Sequence, residues 1–187
     1  MTEDLKKACD ILHKGGLILY PTDTVWGIGC DATDAEAVRK VYALKQRTDR
    51  KAMLVLIDSP SKLNTYVSDV PEVAWDLLEV ADKPLTIIYS GARNLAPNLP
   101  GEDGSIGIRI TNETFSHQLC RRFRKPLVST SANISGCPAP GSFREIADTI
   151  RNGVDYVVRY RRNETGRGIP SGIIKVGRGG LFQLIRE

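Results

Sequence analysis

Apolar and polar positions along the chain follow two periods, and the switches between them lay out its elements. From Thr2 to Lys14 the apolar residues fall at Leu5, Ala8, Cys9 and Leu12, with acids in the first turn, bases in the last and Gly15-Gly16 beyond. That spacing predicts a capped amphipathic helix. Leu17 to Tyr20 reads as a buried strand. Thr33-x-x-Glu36 has the form of a capping box, in which each side chain satisfies the other's backbone N–H, and predicts a helix over Thr33 to Lys45 with Val38, Val41 and Tyr42 on one face. Met53 to Ile57 is expected as a strand, Ser59-Pro60 as the start of a short helix, Pro71 to Val80 as a helix and Leu85 to Tyr89 as a strand. Strands are expected at Ile106 to Ile110 and Leu127 to Thr130, around a helix over Glu113 to Arg122. Ser142-x-x-Glu145 has the form of a second capping box opening a helix to Arg151, and short strands follow near Tyr156, Ile174 and Leu184. Arg159 to Ser171, with its arginines, two glycines and Asn163, reads as a long mobile loop. Helices interleave with strands, and several strands succeed one another directly. The pattern predicts an α/β (α+β) fold, a single domain over residues 1–187 with a twisted mixed sheet flanked by helices.

Composition narrows the class. A chain of 187 residues hides about 70% of its unfolded surface, so a core forms without disulfide or metal staples. With 41% hydrophobic and 26% charged residues it is not a disordered chain. No apolar run approaches the roughly 20 residues that span a bilayer, so no membrane segment is expected. The acidic start Met1-Thr2-Glu3-Asp4 lacks the basic opening of an export signal, which makes cytoplasmic residence the default expectation. Cys9, Cys30, Cys120 and Cys137 lie far apart without metal-ligand spacing and read as buried thiols, a metal cluster being the remote alternative; no metal site is expected.

Charge is distributed unevenly. The net charge of +4 combines 13 basic and 16 acidic residues in 1–109 with 13 basic and 6 acidic in 110–187. Arg121, Arg122, Arg124, Lys125, Arg159, Arg161, Arg162 and Arg167 are candidates for a patch attracting polyphosphate or RNA, or else a solvated surface.

Four loops carry more polar groups than a turn needs. Tyr20 to Gly29 places hydroxyls and glycines directly after a buried strand; Lys45 to Lys51 gathers bases at a helix end; Ser129 to Gly136 is a row of small donors and acceptors; Ile169 to Ile174 sets a hydroxyl at a strand entrance. Each has a bland reading as a turn or as a complement to the helix dipole. Arg109 lies in an apolar strand, and a buried guanidinium needs an acidic partner, from the protein or from a ligand. The G-x-x-x-x-G-K phosphate loop, the kinase motifs and the G-x-S-x-G elbow are missing from the sequence.

Taken in order, these segments resemble the YrdC-like family, the threonylcarbamoyl-AMP synthases that start threonylcarbamoyladenosine formation in tRNA. The resemblance is carried by Pro21 to Gly29, by Lys45-Gln46-Arg47, by Ile106 to Arg109, by Ser131 to Gly136 and by Pro170 to Ile173, spanning nearly the whole chain. It implies synthesis of L-threonylcarbamoyladenylate from L-threonine, bicarbonate and ATP, with pyrophosphate released and magnesium accompanying the phosphates. Lys45 and Arg47 would be the catalytic cations; Arg47, Lys51, Ser105, Ser131, Asn133 and Arg186 would bind ATP; Thr24, Arg109, Ser129 and Ser171 would bind threonine. Arg186 lies one residue further from Ser171 than the family spacing leads one to expect. The resemblance also implies tRNA or double-stranded RNA and downstream tRNA-modifying proteins as partners. A module of the same fold that binds RNA without adenylate chemistry is the alternative from another class.

Overall fold

In the computed structural model, residues 1–47, 53–166 and 168–187 are described, Arg178 by its backbone alone. Thr48, Lys51 and Arg167 lie outside them. The helices and strands are α1 (Thr2–His13), β1 (Ile18–Tyr20), β2 (Gly27–Gly29), α2 (Ala35–Leu44), β3 (Leu54–Ile57), α3 (Leu63–Tyr66), α4 (Glu72–Val80), β4 (Leu85–Tyr89), β5 (Ile106–Ile110), α5 (Thr114–Phe123), β6 (Leu127–Ser131), α6 (Asp148–Asn152), β7 (Tyr156–Val157), β8 (Gly172–Val176) and β9 (Phe182–Arg186). The strands form one sheet in the order β7-β1-β2-β6-β3-β5-β4-β8-β9. Pairs β1–β7, β3–β5 and β4–β8 are parallel and the other neighbours antiparallel, so the sheet is mixed, as expected.

Strand alternation sorts the core into two layers. On β1, Ile18 and Tyr20 face one cluster and Leu19 the other; on β3, Leu56 faces the first while Val55 and Ile57 face the second. The first layer is built by Leu5, Ala8, Cys9 and Leu12 of α1 with Phe115, Leu119, Cys120 and Phe123 of α5. The second takes residues of α2, α3, α4 and α6. Strands β1 and β3 therefore bury both faces, whereas β9 at the sheet edge is exposed along its whole length, and α1 and α5 each bury one stripe.

Three local expectations are corrected. Gly27 to Gly29, read as loop, is β2, antiparallel to both β1 and β6. Its glycines carry no side-chain signal for a strand, but they permit close packing: a Cβ on Gly27 would stand 3.2 Å from Ser129 Oγ. Helix α2 is capped by Asp34, whose carboxylate accepts from the N–H groups of Glu36 and Ala37, and not by Thr33. The Thr33 hydroxyl and N–H instead donate to Asp31, itself paired with Lys125. Ser142 opens a single 3-10 turn over Phe143–Glu145, with the Glu145 carboxylate accepting from Gly141 N–H; extended backbone at Ile146 and Ala147 separates it from α6. A fourth correction concerns the thiols: Cys137 is exposed, whereas the other three cysteines are buried.

Candidate active site

Helices α1 and α5 cover only part of their face of the sheet. Beyond them the same face opens into a cavity of about 960 Å³. Its floor follows strand alternation: Thr86 and Ile88 of β4, Gly107 and Arg109 of β5, Ser129 and Ser131 of β6, and Ile173 of β8 point into it, whereas Ile87, Ile108, Val128 and Ile174 point to the opposite core. Thr86, Arg109, Ser129 and Ser131 are thus the polar part of the floor, the first three each on the face opposite an apolar neighbour in Ile87, Ile108 or Val128.

Eight of the eleven residues expected at the site line this one cavity: Thr24, Arg47, Ser105, Arg109, Ser129, Ser131, Ser171 and Arg186. Lys51 lies outside the described residues. Asn133 and Lys45 are placed differently. The Asn133 amide donates to the carbonyls of Ile134 and Cys137 and shapes its own loop. Lys45 is 3% exposed, and its ammonium donates to the carbonyls of Ser131 at 2.6 Å and Asn133 at 2.7 Å, while Ser135 N–H donates back to the Lys45 carbonyl at 2.8 Å. Lys45 therefore clamps the end of α2 to the loop after β6. Burial, with the nearby Arg47 charge adding to it, brings its ammonium down to about 8. Arg47, two residues on, lines the cavity and lies 5.9 Å from the Tyr42 ring centroid.

The basic residue in the apolar strand finds its acid inside the protein. Arg109, 2% exposed, meets Asp23 Oδ1 at 3.0 Å as an ion pair, and among the described residues neither that oxygen nor the guanidinium Nε has an aligned hydrogen bond. Asp23 is raised above the usual carboxylate range chiefly by burial, which the Arg109 charge opposes. Thr86, which sequence reasoning did not single out for the site, pairs with Arg109 across β4–β5, and its hydroxyl lies 2.8 Å from that of Ser171. Threonine is common in strands, so nothing local distinguished it. Glu102 and Asp103, on the turn before Ser105, were likewise missed; both line the cavity, and Asp103, held by Ser105 N–H and Lys175, is pulled down to about 2.

Arg186 reaches the cavity through an irregularity. Val176 pairs with Phe182, Lys175 with Gln183 and Ile174 with Leu184, but Ile173 pairs with Arg186, so Ile185 is an extra residue bulged from β9. The bulge absorbs the extra residue of spacing and returns Arg186 to the Ile173 side, where its Nε donates to the Ser171 carbonyl at 2.9 Å. Deleting Ile185 leaves every other pair in register. Under the nucleotide-binding role that the resemblance gives Arg186, this deletion is expected to change the Michaelis constant for ATP less than about threefold, whereas Arg186→Ala, which removes a charge-assisted contact of about 1.5–3 kcal/mol, is expected to raise it at least about tenfold. Steady-state kinetics on both variants decide it.

A second cavity, of about 630 Å³, lies behind the first and shares Thr24, Val25 and Pro170 with it. Its far wall comes from the arginine-rich segment, which has no helix or strand between Val158 and Ser171 among the described residues. Arg161 donates to the Thr22 carbonyl and pairs with Glu113 and Glu164, Arg162 donates to the Val158 carbonyl and covers the Phe143 ring, and a Cβ on Gly168 would run into the Thr24 carbonyl. Of the bases expected to form a patch, Arg161, Arg162 and Lys125 thus have internal partners.

Comparison with known proteins places this geometry. The Sua5/YciO/YrdC family model, described as telomere recombination, matches residues 10–187. A threonylcarbamoyl-AMP synthase of Vibrio cholerae is 33% identical over 176 residues, covering 92% of this chain and 93% of that protein. Among solved structures, YciO of E. coli superposes with a TM-score of 0.86 at 24% identity, covering the whole of this chain and 90% of its own. P. abyssi Sua5 complexed with L-threonine gives 0.83 at 24% identity, over 92% of this chain and 50% of that longer one. At such identities the structures speak for the fold, and the mixed sheet is theirs. With a family match across almost the entire length, and the family's motifs converging on one cavity, the chain belongs to the Sua5/YciO/YrdC family.

Proposed function

We propose that the protein is a threonylcarbamoyl-AMP synthase, joining L-threonine, bicarbonate and ATP into L-threonylcarbamoyladenylate with release of pyrophosphate, the first step of tRNA threonylcarbamoyladenosine formation. The observation that carries this reading is the convergence of Arg47, Arg109, Arg186 and the hydroxyls of Thr24, Ser129, Ser131 and Ser171 on one cavity. Its likeness to relatives of that name over nearly their full length supports it. Arg47 and Arg186 provide permanent positive charge for the triphosphate, and Lys45 acts behind them by holding the Ser131–Asn133 carbonyls in place. Arg109 takes the threonine carboxylate, with Thr24, Ser129 and Ser171 orienting the amino acid. Ser105 and Ser131 bind the nucleotide, Lys51 assists with its phosphates, and Asn133 shapes the loop they lie beside.

Among the described residues no three His, Cys, Asp or Glu side chains cluster to hold a metal ion. Magnesium arriving with the triphosphate keeps most of its water and needs one or two protein carboxylates, which Glu102 and Asp103 at the cavity rim offer. When bound it would neutralise phosphate charge.

No helix among the described residues is long and apolar enough to cross a membrane, and we place the activity in the cytoplasm. The product passes to downstream tRNA-modifying proteins, and tRNA is the macromolecular partner. An RNA-binding module without adenylate chemistry is the weaker reading, because bases of its expected patch have internal partners. Pyrophosphate release is the test: strict dependence on threonine, bicarbonate and ATP together supports the synthase, and release unaffected by omitting threonine or bicarbonate overturns it.

A further inference from the structure

The proposed reaction leaves one proton without an acceptor. At neutral pH an amino acid carries an ammonium group, whose nitrogen has no lone pair with which to attack carbon, so a proton must leave before the carbamate forms. Among the described residues, Glu102 and Asp103 are the carboxyl side chains lining the first cavity, and Asp23, Glu164 and Glu187 those lining the second. All but Asp23 are exposed, and Asp103 and Glu164 already pair with Lys175 and Arg161. The Asp23 side chain is 13% exposed.

Asp23 stands in the wall between the cavities. It touches Arg109, a residue of the first, while itself lining the second. Its Oδ1 is shielded from solvent and meets the Arg109 guanidinium at 3.0 Å without an aligned hydrogen bond, and among the described residues the Arg109 Nε has no acceptor. A carboxylate and a guanidinium side by side, the first held by its ion pair and the second with its Nε still unused, complement a zwitterion whose carboxylate and ammonium are a few bonds apart. From this geometry we infer that Asp23 is the catalytic base that takes the threonine ammonium proton while Arg109 holds the threonine carboxylate. The inference rests on the synthase reading above.

The step balances. Asp23 takes one proton from the ammonium and becomes a carboxylic acid, leaving a free amine. The amine lone pair forms an N–C bond to the bicarbonate carbon; the C–OH bond breaks, and the departing hydroxide takes a second amine proton to become water, leaving the carbamate. Asp23 then releases its proton through the second cavity. The groups facing it are Arg109 of β5, Glu113 at the start of α5, Cys120 within α5, Tyr20 at the end of β1, and Arg161, which is held on the Thr22 carbonyl. Burial raises Asp23 and the Glu113 charge adds to that, in the direction a base acting near neutral pH requires.

Asp23→Asn tests this when the reaction is followed in both directions. The reverse reaction, ATP formation from threonylcarbamoyladenylate and pyrophosphate, moves no amine proton. The expected result is a forward rate at least about 100-fold lower, rising with pH as free amine accumulates, with the reverse rate within about threefold of the parent protein. A forward rate within about threefold overturns the inference. So does equal loss in both directions, which makes Asp23 a positioning residue for Arg109. Should the variant fail to fold, the parent protein's pH profiles decide: a forward acid limb lying well below the titration of the threonine ammonium, and missing from the reverse direction, supports the inference, and a forward limb that simply follows that ammonium overturns it. If the parent protein itself makes no threonylcarbamoyladenylate, the synthase reading fails first.

Discussion

Arg109→Met is expected to raise the threonine concentration giving half-maximal pyrophosphate release by about 100-fold or more, since truncating one partner of a buried charge-assisted contact costs about 2–5 kcal/mol. A second effect accompanies it. The guanidinium is the partner of Asp23, and removing it leaves a buried carboxylate unpaired at a cost of about 3–5 kcal/mol at neutral pH. Asp23 is already raised by burial, and without Arg109 it rises further. An acid whose folded pKa lies above its unfolded value binds more protons when folded, so its contribution to stability falls as pH rises between the two values. Arg109→Met is therefore expected to melt far below the parent protein at pH 7.5 and to recover part of the difference on acidification. Arg109→Lys does not restore threonine binding, because an ammonium lacks the planar fork of donors. Thermal melts at two pH values and threonine titrations check both halves; a variant with unchanged threonine dependence removes Arg109 from the substrate site.

Lys45→Met is expected to reduce pyrophosphate release by about 100-fold or more and to destabilise the fold by about 2–4 kcal/mol. The ammonium holds two carbonyls, of Ser131 and Asn133, and an apolar side chain of similar length leaves both without that donor. The loop they belong to carries Ser131 into the cavity, so the damage reaches the cavity although Lys45 does not line it. The pH dependence has a definite sign. The folded ammonium titrates at about 8 and the free side chain at 10.5, so between these values the unfolded chain binds more protons and this residue's contribution to stability rises with pH; below 8 it is flat. Lys45→Met removes that slope, which chemical denaturation across pH 7 to 10.5 measures. Activity separates the two ways Lys45 acts. A neutral amine still donates to both carbonyls, so a purely positioning role leaves the Michaelis constant for ATP unchanged through pH 8, whereas a role for its charge raises that constant.

Much of this architecture is legible in the chain. Helix α1 shows its buried stripe at Leu5, Ala8, Cys9 and Leu12, and β4 and β5 stand out as short apolar runs, because these signals depend on neighbours within one or two turns. Strand β2 is not legible: glycines and an isoleucine look like a turn, and only pairing on both edges makes them a strand. The same holds for Thr33 and Ser142, whose capping-box spacing is right but whose hydroxyls or carboxylate partners are taken by Asp31 and by the Gly141 N–H.

At the site, the residue types and their order come from sequence, whereas their gathering over one face of the sheet comes from strand order and alternation. What each side chain faces is not in the sequence either. Lys45 and Arg47 are two residues apart with like charge, yet the former is clamped on two carbonyls from beyond β6 and the latter lines the cavity. Asp23 and Arg109 are remote in sequence and become a pair only through the folding of β5 beside the turn after β1. Secondary structure follows from short-range hydrogen bonding and apolar periodicity, which the chain carries locally. The partner and hydration of a buried charge depend on every element packed around it, and that sum exists only in the folded molecule.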